Sequence, residues 1–175
     1  MKKIVIILAI VMLIMFISNK KDEETVKIPS SAIRFRVLAN SNSVEDQNTK
    51  ENVRDKLQHE LYKLLEDTNT ISEARYKINN NLNNFDEIVK NELIDEDYSY
   101  NISYGMHYFP EKIYKGITYE EGEYESLLVT LGSGCGDNWW CVLFPPLCVL
   151  EAEETNDTSD VEYKFFIKEI IEKYF

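Results

Sequence analysis

The stretch YNISYGMHY, residues 100–108, decides the fold class, because tyrosine, isoleucine and methionine alternate there with small or polar residues. A period of two places alternate side chains on opposite faces of the backbone, which is typical of a β-strand. Pro110 ends this strand, since proline lacks the backbone N–H that a strand ladder requires. The stretch therefore predicts a strand, and with it a β-sheet.

The residues before this strand predict one more strand and a helix. Residues 33–37 alternate isoleucine, phenylalanine and valine with two arginines, which is the period of a strand with one buried face. Ser43 stands three residues before Asp46 in a pattern close to a capping box, so we expect a helix that runs to about residue 66. Its inward stripe consists of Val53, Leu57, Leu61 and Leu64.

A second helix is predicted to follow Thr70, which forms another capping box with Glu73. Its apolar residues continue at helical spacing to Val89. The three asparagines at residues 79–81 have poor helix propensity, and we expect them to break or bend this helix.

The residues after the first stretch complete the pattern. Short strands are predicted around residues 113–119 and 124–131, on either side of a turn at residues 120–122. Residues 161–175 are amphipathic and favour a helix, although the alternation at residues 161–165 also fits the start of a strand. The chain is thus predicted to be α+β, with an antiparallel or mixed sheet packed against two or three helices and preceded by an N-terminal signal or anchor segment.

The N-terminus has the pattern of an export signal. Lys2 and Lys3 precede an apolar run at residues 4–17, which is shorter than the roughly 20 residues that span a bilayer as a helix. We expect the segment to be cleaved as a signal peptide or kept as a membrane anchor, with membrane contact limited to residues 4–17. The alternative, a buried core helix, is disfavoured by the lysines at the extreme N-terminus.

Composition divides the chain into four parts. We assign residues 1–21 to the signal or anchor, 22–31 to a charged spacer, 32–150 to the α+β domain, and 151–175 to an acidic linker with a C-terminal amphipathic helix. The net charge of −12 becomes −16 once the four lysines of the signal are removed. A domain this acidic repels phosphate backbones, so nucleic acid is not an expected partner.

Two blocks of sequence carry a family resemblance. Residues 138–148, NWWCVLFPPLC, combine large rigid side chains with two prolines, which indicates a segment shaped for more than filling a core. Together with GEYESL at residues 122–127, this segment resembles the stage II sporulation protein R family of endospore-forming bacteria. RFRVLANS at residues 34–41, with DQ at 46–47 and VRD at 53–55, resembles the same family's N-terminal signature.

The resemblance implies a role in signalling between cells. Members of this family are understood to be made in the forespore and exported into the space between its membrane and that of the mother cell. There they activate a membrane-embedded aspartic protease of the mother cell, which matures the sigma-E precursor. The resemblance therefore implies an exported protein whose partner is that protease and whose job is binding, with no catalytic residue of its own.

A polar patch at the start of the first helix is one candidate for partner binding. Asp46, Lys50 and Arg54 are one helical turn apart, and one interpretation is a ladder of ion pairs, each worth about 0.2–0.5 kcal/mol, that anchors the helix to the first strand. The other is a recognition patch. The residues assigned to it are Asn40, Ser41, Asp46, Gln47, Lys50 and Arg54.

Asn138, Trp139 and Trp140 are the second candidate. Neighbouring side chains of an extended segment point to opposite faces, so at most one of the two tryptophans can lie in a given core layer. The other is either covered by a further element or exposed. An exposed tryptophan beside a proline-constrained loop is typical of a protein-binding hot spot.

The three cysteines leave a disulfide and a rival function open. In an exported protein, residues 144–147 can turn the chain back so that Cys141 pairs with Cys148 while Cys135 stays free. The rival function is an extracytoplasmic thiol hydrolase with Cys141 as its nucleophile.

That hydrolase would need His107 or His59 as base and Asp137 to orient it, yet both histidines fall on polar sides of their elements and are expected to be solvated.

Neither a metal nor a cofactor is expected. The cysteine spacings do not match a paired zinc knuckle. The run GSGCG at residues 132–136 could cradle a phosphate, but it precedes an aspartate and two tryptophans rather than a lysine and a helix. We expect a loop between strands instead.

Overall fold

A computed structural model describes residues 28–114, 117–147 and 160–174, and the side chains of the last range from Ile167 onward. The described residues form a mixed sheet and four helices, as the α+β prediction required. The strands are β1 Ile33–Leu38, β2 Tyr100–Phe109, β3 Lys112–Tyr114, β4 Ile117–Tyr119, β5 Gly122–Leu131 and β6 Asn138–Phe144. The helices are α1 Val44–Leu65, α2 Ile71–Asn80, α3 Leu82–Glu92 and α4 Asp160–Tyr174.

The main sheet has the strand order β2-β5-β1-β6. β1 runs parallel to β5 and antiparallel to β6, and β2 runs antiparallel to β5. β3 and β4 form a separate antiparallel pair, so the single strand predicted around residues 113–119 is two short strands. β1, the first strand among the described residues, thus lies between two strands from the last third of the chain.

Helices α1, α2 and α3 cover one face of this sheet, which we call the helix face. Ser43 caps α1, with its hydroxyl oxygen accepting a hydrogen bond from the Asp46 N–H at 3.1 Å, and Thr70 caps α2 in the same way. The core on this face includes Phe35, Val53 and Leu57, all fully buried. The capping signals therefore predicted both helix starts correctly.

The asparagine run ends α2, as its poor helix propensity predicted. Asn79, Asn80 and Asn81 each donate a side-chain hydrogen bond to the carbonyl four residues earlier, at 2.8–2.9 Å. The side chains thus compete with the backbone for these acceptors. α3 begins directly after Asn81, which makes two helices of the predicted bent one.

The opposite face of the sheet, the aromatic face, is also covered. A second core cluster there contains Phe109, Tyr124 and Trp140 from the sheet together with Ile117 from β4 and Ile167 from α4. α4 is helical from Asp160, so the alternative of a strand at residues 161–165 is wrong.

Several predictions fall on residues outside the described ranges. They are the signal or anchor at residues 1–21, most of the spacer, the acidic linker and Cys148. Within the ranges that are described, every helix is too short or too polar to cross a membrane. The proposed domain boundaries therefore stay predictions.

Candidate functional site

The predicted polar patch is a hydrogen-bonded network at the C-terminal end of β1. Asn40 donates from its amide nitrogen to the Asp46 carboxylate at 3.1 Å, and its amide oxygen accepts from the Ser133 N–H at 3.0 Å. The Ser41 hydroxyl donates to the same carboxylate. These bonds, that from Ser41 above all, hold the pKa of Asp46 below its usual value.

Gln47 and Lys50 extend the network. The Gln47 amide nitrogen donates to the Ser41 carbonyl at 2.9 Å, and the Lys50 ammonium donates to the Gln47 amide oxygen at 2.5 Å. Ion pairs between described residues include Arg54–Asp55, Arg75–Glu125 and Lys77–Glu73. The ladder through Asp46, Lys50 and Arg54 is therefore wrong, because the carboxylate is held by the strand end instead.

The glycine-rich run is a loop, as predicted, and it serves this network. Gly132 has a φ of 52°, in the left-handed region that disfavours other residues. A Cβ there would collide with the Asn40 amide, and one on Gly136 would collide with the Ser41 carbonyl. The glycines thus allow a close approach to the end of β1, and the chain leaves them into strand β6 rather than into a phosphate-binding helix.

Neither tryptophan is exposed. Trp140 is 6% exposed on the aromatic face, with its ring 5.1 Å from Tyr119 and 5.4 Å from Phe109. Trp139 is half-buried on the helix face, 5.6 Å from the Phe35 ring and 5.5 Å from the Arg54 guanidinium. Of the two alternatives, coverage by a further element is confirmed, because both faces of the sheet are packed. Asn138 is exposed.

Arg34 is the largest departure from the predicted pattern. The strand period placed it on a polar outer face, yet it is 1% exposed and packed among aromatic rings. Its guanidinium carbon lies 3.4 Å from the Tyr124 ring centroid, 4.8 Å from that of Trp140 and 5.0 Å from that of Phe109. Burial lowers the pKa of the guanidinium, and the Tyr124 hydroxyl partly opposes this.

Two of the N–H donors of Arg34 have no acceptor within the described ranges. Nε and Nη1 are buried and have no hydrogen-bond partner among the described residues. A cavity of about 290 Å³ lies beside this arginine, walled also by Pro29, Ser30 and Tyr119. Buried donors without an acceptor are unusual, since leaving them unsatisfied is costly.

Arg36, two residues on, is better satisfied. Its Nη1 donates to the Tyr108 carbonyl at 3.0 Å and its guanidinium carbon lies 5.2 Å from the Phe109 ring centroid. Nε is again without a partner among the described residues. Burial lowers its pKa as well.

His107 is not the solvated side chain that its position predicted. Its Nδ1 lies 2.8 Å from the Ser126 hydroxyl and its Nε2 lies 3.0 Å from the Ser103 hydroxyl. Ser126 is fully buried, so its oxygen is out of reach of a substrate. Burial lowers the pKa of the imidazole, which favours the neutral ring. His59 is exposed, as predicted.

On the helix face, by contrast, a charged side chain has hydrogen-bond partners on both of its oxygens. Glu125 accepts from Arg75 Nε at 2.9 Å on both oxygens and from the Tyr104 hydroxyl at 2.7 Å. Burial alone would raise the pKa of Glu125, but these donors bring it below its usual value. The pair ties α2 to the sheet.

The bonding of the cysteines leaves the rival hydrolase without its thiol nucleophile. Cys141 is buried and disulfide-bonded, and Cys135 is exposed and free. A disulfide sulfur is not a thiolate and cannot attack a substrate as one. Cys148 lies outside the described residues, so the pairing with it stays a prediction. In the described part of the chain, no three His, Cys, Asp or Glu side chains gather as a metal site would need.

Comparison with known proteins gives two matches. A family model described as stage II sporulation protein R matches residues 29–154. The stage II sporulation protein R of Bacillus subtilis (strain 168) is 39% identical over 158 residues, which is 89% of this chain and 70% of that protein. No solved structure matches. The matched residues include the polar network, Arg34 and both tryptophans.

Proposed function

Since this chain belongs to the stage II sporulation protein R family, we propose that it is an exported signal that activates a membrane-embedded aspartic protease during sporulation. That protease matures the sigma-E precursor in the mother cell. Membership of the family, which supports a sporulation role, is the observation that carries the proposal. The protease and the precursor are the finer part that an experiment must test.

The chemistry of the described residues favours binding over catalysis. The thiol that a hydrolase would use is locked in a disulfide, and Ser126 is buried beneath its histidine. What the described residues present instead is a sheet packed on both faces, with a hydrogen-bonded polar end. Rigid, preorganised surfaces lose little entropy when a partner docks.

We further propose that residues 1–21 direct export and that the folded domain acts in the space between forespore and mother cell. The acidic composition would keep such a domain soluble and away from anionic head groups. Within that domain, the polar network at the end of β1 is the proposed contact with the protease. Its exposed members include Ser133, Asp137 and Asn42, whose amide oxygen accepts from the Asp137 N–H at 2.6 Å. Asn138 is exposed next to Asp137.

The test is reconstitution in a host that does not sporulate. The full chain, the protease and the sigma precursor are expressed together, and cleavage of the precursor is followed by immunoblot. We expect cleavage only when all three are present. Two controls fix the interpretation: a chain without residues 1–21, which should be inactive, and a protease without its catalytic aspartate. Cleavage that proceeds equally well without the chain would refute the proposal.

A further inference from the structure

We propose that Arg34 and the cavity beside it form a binding site for a single carboxylate, presented by an acidic side chain of the partner protein. The identity of the partner rests on the proposed function above. The site itself rests on the aromatic face alone. It adds a specific chemical contact to a surface that the polar network at the end of β1 does not include.

The guanidinium is held so that its faces are occupied and its edges are not. Tyr124, Trp140 and Phe109 surround it at 3.4–5.0 Å from guanidinium carbon to ring centroid. Such packing satisfies the π-face of the cation and fixes its plane. At its edges, Nε and Nη1 carry N–H groups that are buried and have no partner among the described residues. The orientation of the guanidinium is thus fixed in advance, and a bound acceptor would complete its hydrogen bonding.

The cavity supplies the room for that acceptor. Its volume of about 290 Å³ is bounded by apolar walls, among them Ile28, Pro29 and Tyr119, and by the hydroxyl-bearing side chains Ser30 and Thr118. A charge-assisted hydrogen bond to a partly enclosed guanidinium is stronger than one on an open surface. The methylene stem of an acidic side chain can pack on the apolar part of the lining while its carboxylate meets the arginine.

The charge of the site favours a carboxylate over a phosphate. Arg34 carries one positive charge, and Glu120, an exposed residue, also lines the cavity. A singly charged carboxylate adds half as much negative charge beside Glu120 as a doubly charged phosphate does, so it is repelled less. Its two oxygens also match the planar fork of the guanidinium.

The first experiment titrates the full-length chain, in a non-ionic detergent, with N-acetylglutamate amide. The neutral probe N-acetylglutamine amide and inorganic phosphate serve as comparisons. We expect the carboxylate to raise the Tm and to change the fluorescence of the tryptophan that packs on Arg34, and the neutral probe to do neither. Phosphate should bind at least about tenfold more weakly than the carboxylate. Equal responses to the two amides, or preferential binding of phosphate, would overturn the assignment.

The second experiment uses two arginine variants that are matched in chemistry. Arg34→Met removes the free guanidinium and should abolish the response to the carboxylate. Arg75→Met removes the guanidinium that is already paired with Glu125, and the response should stay as in the wild type. If Arg34→Met still binds the carboxylate, the site lies elsewhere. Should Arg34→Met fail to fold, the contrast between the charged and neutral probes on the wild type still decides.

Precursor cleavage separates this inference from the proposed function. We expect Arg34→Met to fold, to lose the carboxylate response and to support at least about tenfold less cleavage than the wild type. Full cleavage with this variant would overturn the role of the site in partner binding while leaving the signalling function intact. Absence of cleavage with the wild type would count against the signalling function, and the probe titration would remain valid on its own.

Discussion

The two faces of the sheet differ in how the guanidinium of an arginine is paired. On the helix face, Arg75 meets Glu125 at 2.8–2.9 Å and the carboxylate also accepts from Tyr104. On the aromatic face, Arg34 meets rings and leaves two donors unused. The two arrangements are one residue apart on β5, since Tyr124 and Glu125 are neighbours that point to opposite sides.

This difference separates a charge that holds the fold together from one that does not. A carboxylate with donors on both oxygens stabilises the folded state, because removing a donor leaves a partly buried acceptor unsatisfied. A buried guanidinium without an acceptor costs stability, and a hydrophobic side chain of similar length could replace it. Retaining arginine at residue 34 therefore calls for an explanation other than stability, and a ligand supplies one.

The aromatic face should fail most severely when its largest ring is removed. Trp140→Ala deletes a ring that contacts Phe109, Tyr119 and Arg34. We expect a loss of about 3–5 kcal/mol in the free energy of unfolding, measured with urea. Trp139→Ala is the control, because this ring is only half-buried and its loss should cost less. A smaller loss at Trp140 than at Trp139 would contradict the described packing.

The two arginines themselves give the sharpest test of the comparison. Arg75→Met should lower the free energy of unfolding by about 1–2 kcal/mol, a figure already reduced for the 42% exposure of its side chain. Arg34→Met should change it by less than about 1 kcal/mol, because the burial cost of the charge disappears along with the ring contacts. Both values come from urea titrations at neutral pH. A larger loss at Arg34 than at Arg75 would mean that the aromatic packing of the cation is itself a main support of the fold.

Acid should lower the free energy of unfolding through protonation of Glu125 on the helix face. The pKa of Glu125 is depressed in the folded protein, so its contribution is present above the ordinary value of 4.5 and is lost as the pH falls through the lower folded value. Urea unfolding of the wild type and of Glu125→Gln, compared between about pH 6 and about pH 3, measures this contribution. The difference between the two proteins should shrink with acid. A difference that is constant across the range would assign no proton linkage to Glu125.

His107 should give the smallest effect, and in a different pH window. Burial lowers its folded pKa, with Arg36 adding to the shift and Glu123 opposing it. Below the ordinary value of 6.5 the unfolded chain binds a proton that the folded chain resists, so stability falls as the pH drops beneath 6.5. His107→Asn should remove this decline before the carboxylates titrate, whereas the exposed His59→Asn should not. Parallel curves for wild type and His107→Asn would refute the linkage.

Local signals in the sequence predicted where most elements begin and end. Ser43 and Thr70 mark helix starts through a single side-chain bond each, and the asparagines at residues 79–81 end α2 with their own amides. Such signals lie within one turn of the residues they affect. The family resemblance, carried by two separated blocks, was confirmed by comparison over residues 29–154.

The burial of Arg34 could not be predicted in this way. Its cover comes from Phe109, Tyr124 and Trp140, which lie on three different strands, and the strand order is not a local property. A strand period tells only that alternate residues share a face, and charged side chains such as these arginines usually mark an outer one. The unbroken apolar run at residues 139–144 of β6 was the signal that both faces are packed.

The place of β1 has a consequence for how the chain is assembled. This strand emerges early in synthesis, yet its partners follow about 90 residues later in β5 and 100 or more residues later in β6. Until both arrive, β1 has two open edges and Arg34 lacks its rings. Contacts of such long range slow folding. A nascent chain that stops before β5 is therefore expected not to fold stably. Within the described ranges, the strand that carries the family's first sequence block has no strand partner until the second block has been made.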